Sequence, residues 1–453
     1  MKPGTHSSSD SVRNVLLDRK TLRDHQLRRL NALLVEVLSN NKFYRERYAK
    51  DSLHLESLDA LSDLPLMQKS DWINDDPNGI ANHHSFAADQ YRRYHRTSGT
   101  RGRPMVILDS QRDWEWWIET WQYVLDACQI TRQDRVLMAF SFGPFIGFWS
   151  AHDACLRREC MVIPSGGMST EARIELIHSS QPTVLFSTPS YAIHLGQSAR
   201  DAGKDLSKSS IRCVFVAGEP GGSIRSIRQS IEELYDAQVM DHAGATEIGP
   251  WGFGSRDGTA LHVIETEFIA EFLPLGSHSN AESATDEREL VLTSLGRFDT
   301  PVIRYRTGDI VRPAWARDTV EQEAWGTSFV RLEHGVLGRT DGMMVVRGVN
   351  IFPSSIEAIV REFPSIGEYR IVLSKAGALD QLQLEIEEGT DRAKDASRAQ
   401  SIGTEDGFQA SETAESLGRR LQNQLQLRVD VRSVPFGTLP RPEGKARRIV
   451  DLR

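Results

Sequence analysis

The chain of 453 residues is poor in cysteine, carries no strong excess of one charge and has no long apolar run. Its four cysteines, Cys128, Cys155, Cys160 and Cys213, form no C-x-x-C pair. That argues against a disulfide framework or an all-cysteine zinc site, and it fits a reducing compartment. The longest uncharged apolar run, residues 136–151, is broken by Ser141, Gly143, Pro144, Gly147 and Ser150. A membrane span needs about 20 apolar residues, so this run reads as a buried strand and loop. The first fourteen residues contain no apolar core of the signal-peptide kind and read as a polar, disordered tail. Lys+Arg number 54 against 62 Asp+Glu, a net charge of −8, which argues against nucleic-acid backbone binding as the main task. No internal repeat is visible. What remains is a cytoplasmic globular chain, 39% hydrophobic and too long for one core, since domains average about 150 residues.

Apolar positions Leu27, Leu30, Leu34, Val37 and Leu38 share one helical face. From 134 to 243 short apolar runs alternate with helical segments. Strands are expected at 135–140, 161–164, 183–187, 211–217 and 238–242, with helices at 170–179, 190–202 and 223–235. Such alternation implies an α/β unit with mostly parallel strands covered on both faces. Beyond about Leu261 the pattern turns to strands: 262–272, 289–293 and 330–332. Residues 332–339 carry little core material and read as a linker. A small α+β unit follows, with strands at 343–346, 369–374 and 382–387, a helix at 354–362, a helix striped by Leu417, Leu421 and Leu425, and a last strand at Val429 and Val431. The expected division is therefore a large N-terminal domain over 15–338 and a small C-terminal unit over 339–453. The polar stretch 390–415 reads as a disordered insertion, with a functional lid as the alternative.

Six stretches are candidates for chemistry. RTSGTRGRP (96–104) is a Ser/Thr/Gly loop whose backbone N–H groups and hydroxyls suit phosphate oxygens, although an ordinary turn has the same composition. It lacks the G-x4-G-K-[ST] spacing of a Walker loop. FVAGEPGG (215–222) and DHAGATEIG (241–249) each follow a predicted strand, where open parallel sheets bind ligands. Glu247 suits a carboxylate reaching a metal–phosphate complex, and a solvated loop acid is the plain alternative. RYRTGDI (304–310), GRTDGMMVVRGVNIFPSSIE (338–357) and LPRPEGKARRIV (439–450) complete the set; the last holds Lys445 in a Gly-flanked loop among arginines.

Order and spacing carry more than any one motif. With FYRERY (43–48), VIPSGGMS (162–169), TPSY (188–191), AGEP (217–220), GATEIGP (244–250) and PRPEGKARRIVD (440–451), the chain resembles the adenylate-forming enzymes, and specifically the phenylacetate–coenzyme A ligase family. The resemblance runs from about Leu22 to the end, apart from the polar insertion. It implies an AMP-forming acid–thiol ligase using ATP and Mg2+ to make an acyl-adenylate and pyrophosphate, then coenzyme A as acceptor. Thr97, Ser98, Gly99, Thr100 and Gly102 would wrap the β- and γ-phosphates. Glu247 would hold Mg2+, with Thr246 near the α-phosphate. Asp309 would accept from the ribose hydroxyls, and Arg339 would support ribose or phosphate. Ala217, Gly218, Glu219 and Pro220 would line the adenine slot. Lys445 would bridge the attacking carboxylate and the α-phosphate, and Asp341 would be the hinge of the C-terminal unit, a mobile lid.

Two departures stand out. Where the family often stacks an aromatic on adenine this chain has Ala243, so either His242 takes over or the AGEP side holds the base alone. Arg101 and Arg103 replace the usual Thr and Lys of the phosphate loop. No cysteine follows the GATE motif near His262, so no structural zinc is expected. Phe142, Phe145, Gly166, Ala245 and Pro250 are the expected acid pocket, an aromatic core being the alternative. The acid expected is aryl or arylacetic, a small-molecule partner. Neither nucleic acid nor membrane is expected, and a homodimer is the assembly to test. The leading reading is an aryl-acid–CoA ligase. A second keeps adenylation but passes the acyl group to an amine, hydroxyl or carrier-protein thiol. A third is a non-catalytic nucleotide binder, against which Glu247, Asp309, Arg339 and Lys445 speak.

Overall fold

The computed structural model describes residues 15–73, 79–97, 105–140, 143–275, 286–340, 342, 344–346, 349–376, 379–389, 411–425, 427–441 and 448–453. Strands are numbered along the chain. An antiparallel hairpin of β1 (Arg93–Arg96) and β2 (Val106–Asp109) brackets the proposed phosphate loop. Next come β3 (Arg135–Met138), β4 (Met161–Pro164), β5 (Val184–Ser187), β6 (Cys213–Ala217), β7 (Gln238–Ala245), β8 (Gly249–Gly254) and β9 (Ala260–Val263). With β13 (Pro313–Ala314) and β14 (Arg331–Glu333) they form a nine-stranded sheet in the order β13-β14-β9-β8-β7-β6-β5-β3-β4. The β4-β3-β5-β6-β7 half is parallel. Its strands are apolar on both faces, because helices cover both. Met138, Phe186, Phe215 and Met240 face a core built with the helices Gln111–Ala127 and Ile146–Arg157. Leu137, Leu185, Val214 and Val239 face Thr170–Ser180, Pro189–Asp201 and Arg225–Tyr235. The second of these three helices starts one residue before the expected 190, because Pro189 sits in its first turn and Thr188 caps it.

A second, four-stranded antiparallel sheet has the order β10-β11-β12-β15, from β10 (Phe268–Pro274), β11 (Arg288–Ser294), β12 (Tyr305–Val311) and β15 (Gly338–Arg339). The first helix, Arg19–Asn40, packs Leu30, Leu34, Val37 and Leu38 against Ile269, Leu295 and Ile303 of this region. The expected strand 262–272 is two strands in two sheets, parted after Val263 by a turn in which Glu267 and Phe268 donate to the carbonyl of Ile264. The all-strand reading also missed the short helix Thr319–Trp325, capped by Asp318 and ended by Gly326. The stretch 332–339, expected as a linker, has both ends in strands: β14 pairs with β9, and β15 pairs with β12.

The C-terminal unit has its own core, including Met344, Ile356, Ile371, Leu384, Leu417 and Leu421. The hairpin of β16 (Met344–Val346) and β17 (Val349–Ile351) leads into the helix Pro353–Val360. A four-stranded sheet follows in the order β20-β19-β18-β21, made of β18 (Ile366–Ala376), β19 (Leu379–Glu388), β20 (Asp430–Val434) and β21 (Ile449–Asp451). Residues 390–410 of the expected insertion, and the tail 1–14, lie outside the described residues. The helix Glu412–Leu425 begins inside the stretch read as an insertion, with Ala414, Leu417 and Leu421 buried.

Candidate active site

β7 and β8 form a hairpin whose tight turn carries Thr246 and Glu247. The amide of Ile248 donates to the carbonyl of Ala245 and closes the turn. Glu247 is thus held at the tip of two buried strands, with its side chain 13% exposed. Three groups act on it. The Tyr305 hydroxyl donates to Glu247 Oε1 at 3.1 Å, and Lys69 Nζ lies 3.9 Å from the same oxygen. Beneath the turn, Arg297 Nη1 donates to the carbonyls of Glu247 and Thr246 at 2.8 and 3.4 Å. Arg297 is fully buried and pairs through Nη2 with Asp109 Oδ1 at 2.5 Å. Burial alone would raise the Asp109 carboxyl; Arg297 first and His95 next outweigh it and hold the pKa below its usual value. Asp109 ends β2, so this pair ties the strand leaving the phosphate loop to the Glu247 turn.

Of the phosphate loop itself, Ser98, Gly99, Thr100 and Gly102 lie outside the described residues, as do Lys445, Asp341 and Phe142. Thr97 forms the neck of the loop. Its amide donates to the Met105 carbonyl at 3.0 Å, and its hydroxyl accepts from the Met105 amide at 3.0 Å. Asp309 and Arg339 are brought together as register partners of β12 and β15, joined by Arg339 Nη1 donating to Asp309 Oδ1 at 2.9 Å. Gly308, at φ +76°, makes the kink that presents Asp309, a conformation glycine adopts without strain.

The structure places two residues of the expected adenine side in packed surroundings. Glu219 follows Gly218 in the loop after β6. Its Oε1 accepts from the Ser190 amide at 2.8 Å, and burial first, then Glu357 of the C-terminal unit, push its pKa up. Ala217, Gly218 and Pro220 remain at the end of β6, partly accessible. His242 is no substitute for the missing aromatic. Its ring packs on Trp121 at 4.3 Å and Phe215 at 5.6 Å, and Nδ1 lies 2.7 Å from the Gly252 carbonyl. Burial lowers its pKa to about 4, and a neutral ring so enclosed offers no face to a base. In the expected acid pocket, the hairpin brings Ala245 and Pro250 together, since Ala245 pairs with Gly249. Phe145 is 45% exposed at the head of its helix, and Gly166 is half-buried in the turn after β4.

Sequence reasoning gave no role to Lys69, Asp109, Arg297 or Tyr305. Tyr305 lies inside the RYRTGD stretch, the one signal that was available; the others reach the turn from distant segments. Glu247 passes a test of fit for a hard divalent cation. It offers a hard oxygen, and among the described residues no group of three His, Cys, Asp or Glu could hold a metal alone. One protein carboxylate completed by phosphate oxygens and water is how Mg2+ is commonly held.

Residues 29–265 match the AMP-binding enzyme family, and residues 348–453 match the AMP-binding enzyme C-terminal domain. The chain belongs to the AMP-binding enzyme family. It is 31% identical over 449 residues to the phenylacetate-coenzyme A ligase of Pseudomonas putida, covering 95% of this chain and 94% of that one. To the phenylacetate-coenzyme A ligase of Escherichia coli it is 30% identical over 467 residues, covering 99% and 98%. Its fold is shared with a 2-hydroxyisobutyryl-CoA ligase solved in the postadenylation state in complex with 2-HIB-AMP, at TM-score 0.83 and 24% identity over 97% of this chain and 91% of that one.

Proposed function

We propose that the chain activates an aromatic carboxylic acid with ATP and Mg2+, forming an acyl-adenylate and pyrophosphate, and then transfers the acyl group to coenzyme A. The observation that carries this reading is the Glu247 turn, joined through buried Arg297 and Asp109 to the strand leaving the phosphate loop. The near full-length likeness to two phenylacetate-coenzyme A ligases supports the choice of acid and acceptor.

Adenylation places an attacking carboxylate against a polyanion, so charge must be offset and the attack aligned. Ser98, Gly99, Thr100, Gly102 and the Thr97 hydroxyl would hold the β- and γ-phosphates. Glu247 would hold Mg2+, which when bound offsets phosphate charge, and Thr246 would stand beside the α-phosphate. Asp309 would accept from the ribose hydroxyls, with Arg339 supporting it. Ala217, Gly218, Glu219 and Pro220 would border adenine, while Phe142, Phe145, Gly166, Ala245 and Pro250 would border the acid. Lys445 would lie between carboxylate and α-phosphate, and Asp341 would be the hinge about which the C-terminal unit turns to admit coenzyme A. The test is product analysis: with ATP, Mg2+, coenzyme A and phenylacetate, mass spectrometry should find the acyl thioester and AMP. A panel of aryl and arylacetic acids that yields no thioester would refute the reading.

A further inference from the structure

The ring of Tyr305 is one member of a buried stack. Trp72 lies 4.5 Å from it, tilted by only 5°, and His83 lies 4.1 Å from Trp72 on the far side. All three side chains are almost fully buried. The backbone holds this arrangement in place. Met67 bridges to Tyr305, donating to the Arg304 carbonyl at 2.8 Å and accepting from the Arg306 amide at 2.7 Å. The segment pinned in this way continues into the short helix Lys69–Trp72, which supplies both the stacking indole and the ammonium beside Glu247. Asn82 donates to the Trp72 carbonyl, and Asn41 donates to the His83 carbonyl, so the backbone that carries Trp72 and His83 is also held.

We propose that Tyr305 is a positioning residue for the Glu247 carboxylate, its hydroxyl fixed by the Trp72–His83 stack so that the carboxylate is set in one orientation before a divalent cation arrives. This rests on reading Glu247 as the cation-holding group. The phenol takes one lone pair of Oε1 and leaves the other carboxylate lone pairs for the cation and water. A carboxylate at a hairpin tip otherwise samples several rotamers, and ordering it would cost binding free energy. Lys69, at 3.9 Å, tempers the charge without competing for the same short contact.

Tyr305→Phe removes the hydroxyl and keeps the stack. In acid-dependent ATP–pyrophosphate exchange the Mg2+ concentration for half-maximal rate should rise on the order of tenfold, the worth of a hydrogen bond to a charged group. The rate at saturating Mg2+ should return to near the wild-type value. Manganese titrated into enzyme with ATP and no acid, followed by electron paramagnetic resonance, should show the same loss, while the melting temperature stays put. A purely structural role would instead lower the rate or the melting temperature at every Mg2+ concentration. An unchanged Mg2+ and Mn2+ dependence, or a defect that Mg2+ does not relieve, would overturn the proposal. Glu247→Gln separates the two readings. If it leaves cation dependence unchanged, the role given to Glu247 fails; if it abolishes cation binding while Tyr305→Phe is silent, only the role of Tyr305 fails.

Discussion

The guanidinium of Arg297 and the carboxylate of Asp109 form a fully buried ion pair, 2.5 Å apart and 188 residues apart in the chain. Trp117 Nε1 donates to the same Asp109 oxygen at 3.2 Å, and its ring faces the guanidinium at 5.5 Å. The pair belongs to neither the phosphate loop nor the Glu247 turn, yet it sets the spacing between them. Arg297→Ala would leave Asp109 charged without its partner and two turn carbonyls without a donor. Urea unfolding should show a loss of about 3–5 kcal/mol. Arg297→Lys retains charge but cannot fork between Asp109 and the carbonyls, so it should fold and lose exchange activity more than stability.

Gly296 is next to that arginine for a steric reason. A Cβ there would come within 2.1 Å of Trp116 Cδ1, and the indole is anchored by Trp116 Nε1 donating to Glu267 Oε2 at 2.7 Å. Gly296→Ala should therefore cost about 1–3 kcal/mol, the usual range for overpacking. Differential scanning calorimetry would detect it as a lower melting temperature. A variant that melts with the wild type would mean the indole moves freely.

Acid should destabilise the large unit through its buried imidazoles. His84 lies 2.6 Å through Nδ1 from the Ala81 carbonyl and accepts at Nε2 from the Leu108 amide at 2.9 Å, a pattern only the neutral ring satisfies. Burial lowers its folded pKa to about 4, below the unfolded value of about 6.5. Between those values the unfolded chain holds more protons, so stability is present above pH 6.5 and is lost as the pH falls toward 4. His84→Gln, which can donate and accept without titrating, should flatten stability against pH across that window. An unchanged slope would remove His84 from the acid response.

Arg448 joins the two units. Nη1 donates to Ser190 Oγ at 3.1 Å on the large unit and to Glu357 Oε1 at 2.8 Å on the small one, while Nε donates to Glu368 at 2.6 Å. Arg448→Met would take from buried Glu368 its ion-pair partner and leave part-buried Glu357 paired, among the described residues, with Arg361 alone, and should destabilise the C-terminal unit by about 3 kcal/mol or more. Ser190→Ala removes only the hydrogen bond from Arg448 to the large unit. Hydrogen exchange should then show the C-terminal core protected as in the wild type, with faster exchange confined to the junction.

Much of this was legible beforehand. Alternating apolar runs located β3 to β7 to within a few residues, because strands buried on both faces are apolar throughout and end at turn residues. Motif order pointed to Glu247, Asp309 and Arg339, and the family comparison agrees with the resemblance read from those motifs. Other features need three dimensions. The strand split after Val263 has no breaker to announce it. His242 follows the alternation of its strand, yet alternation does not say which face is the interior. Lys69, Asp109 and Arg297 meet the Glu247 turn only through packing between distant segments, which no local pattern encodes.

The most direct test of the central claim is carboxylate-dependent ATP–pyrophosphate exchange with phenylacetate and related aryl acids, in the wild type and in Lys445→Ala. Exchange in the wild type that needs both the acid and Mg2+, with loss in Lys445→Ala while that variant still binds ATP, is the predicted result. Absence of exchange with every acid, or a Lys445→Ala variant that exchanges at the wild-type rate, would contradict the account.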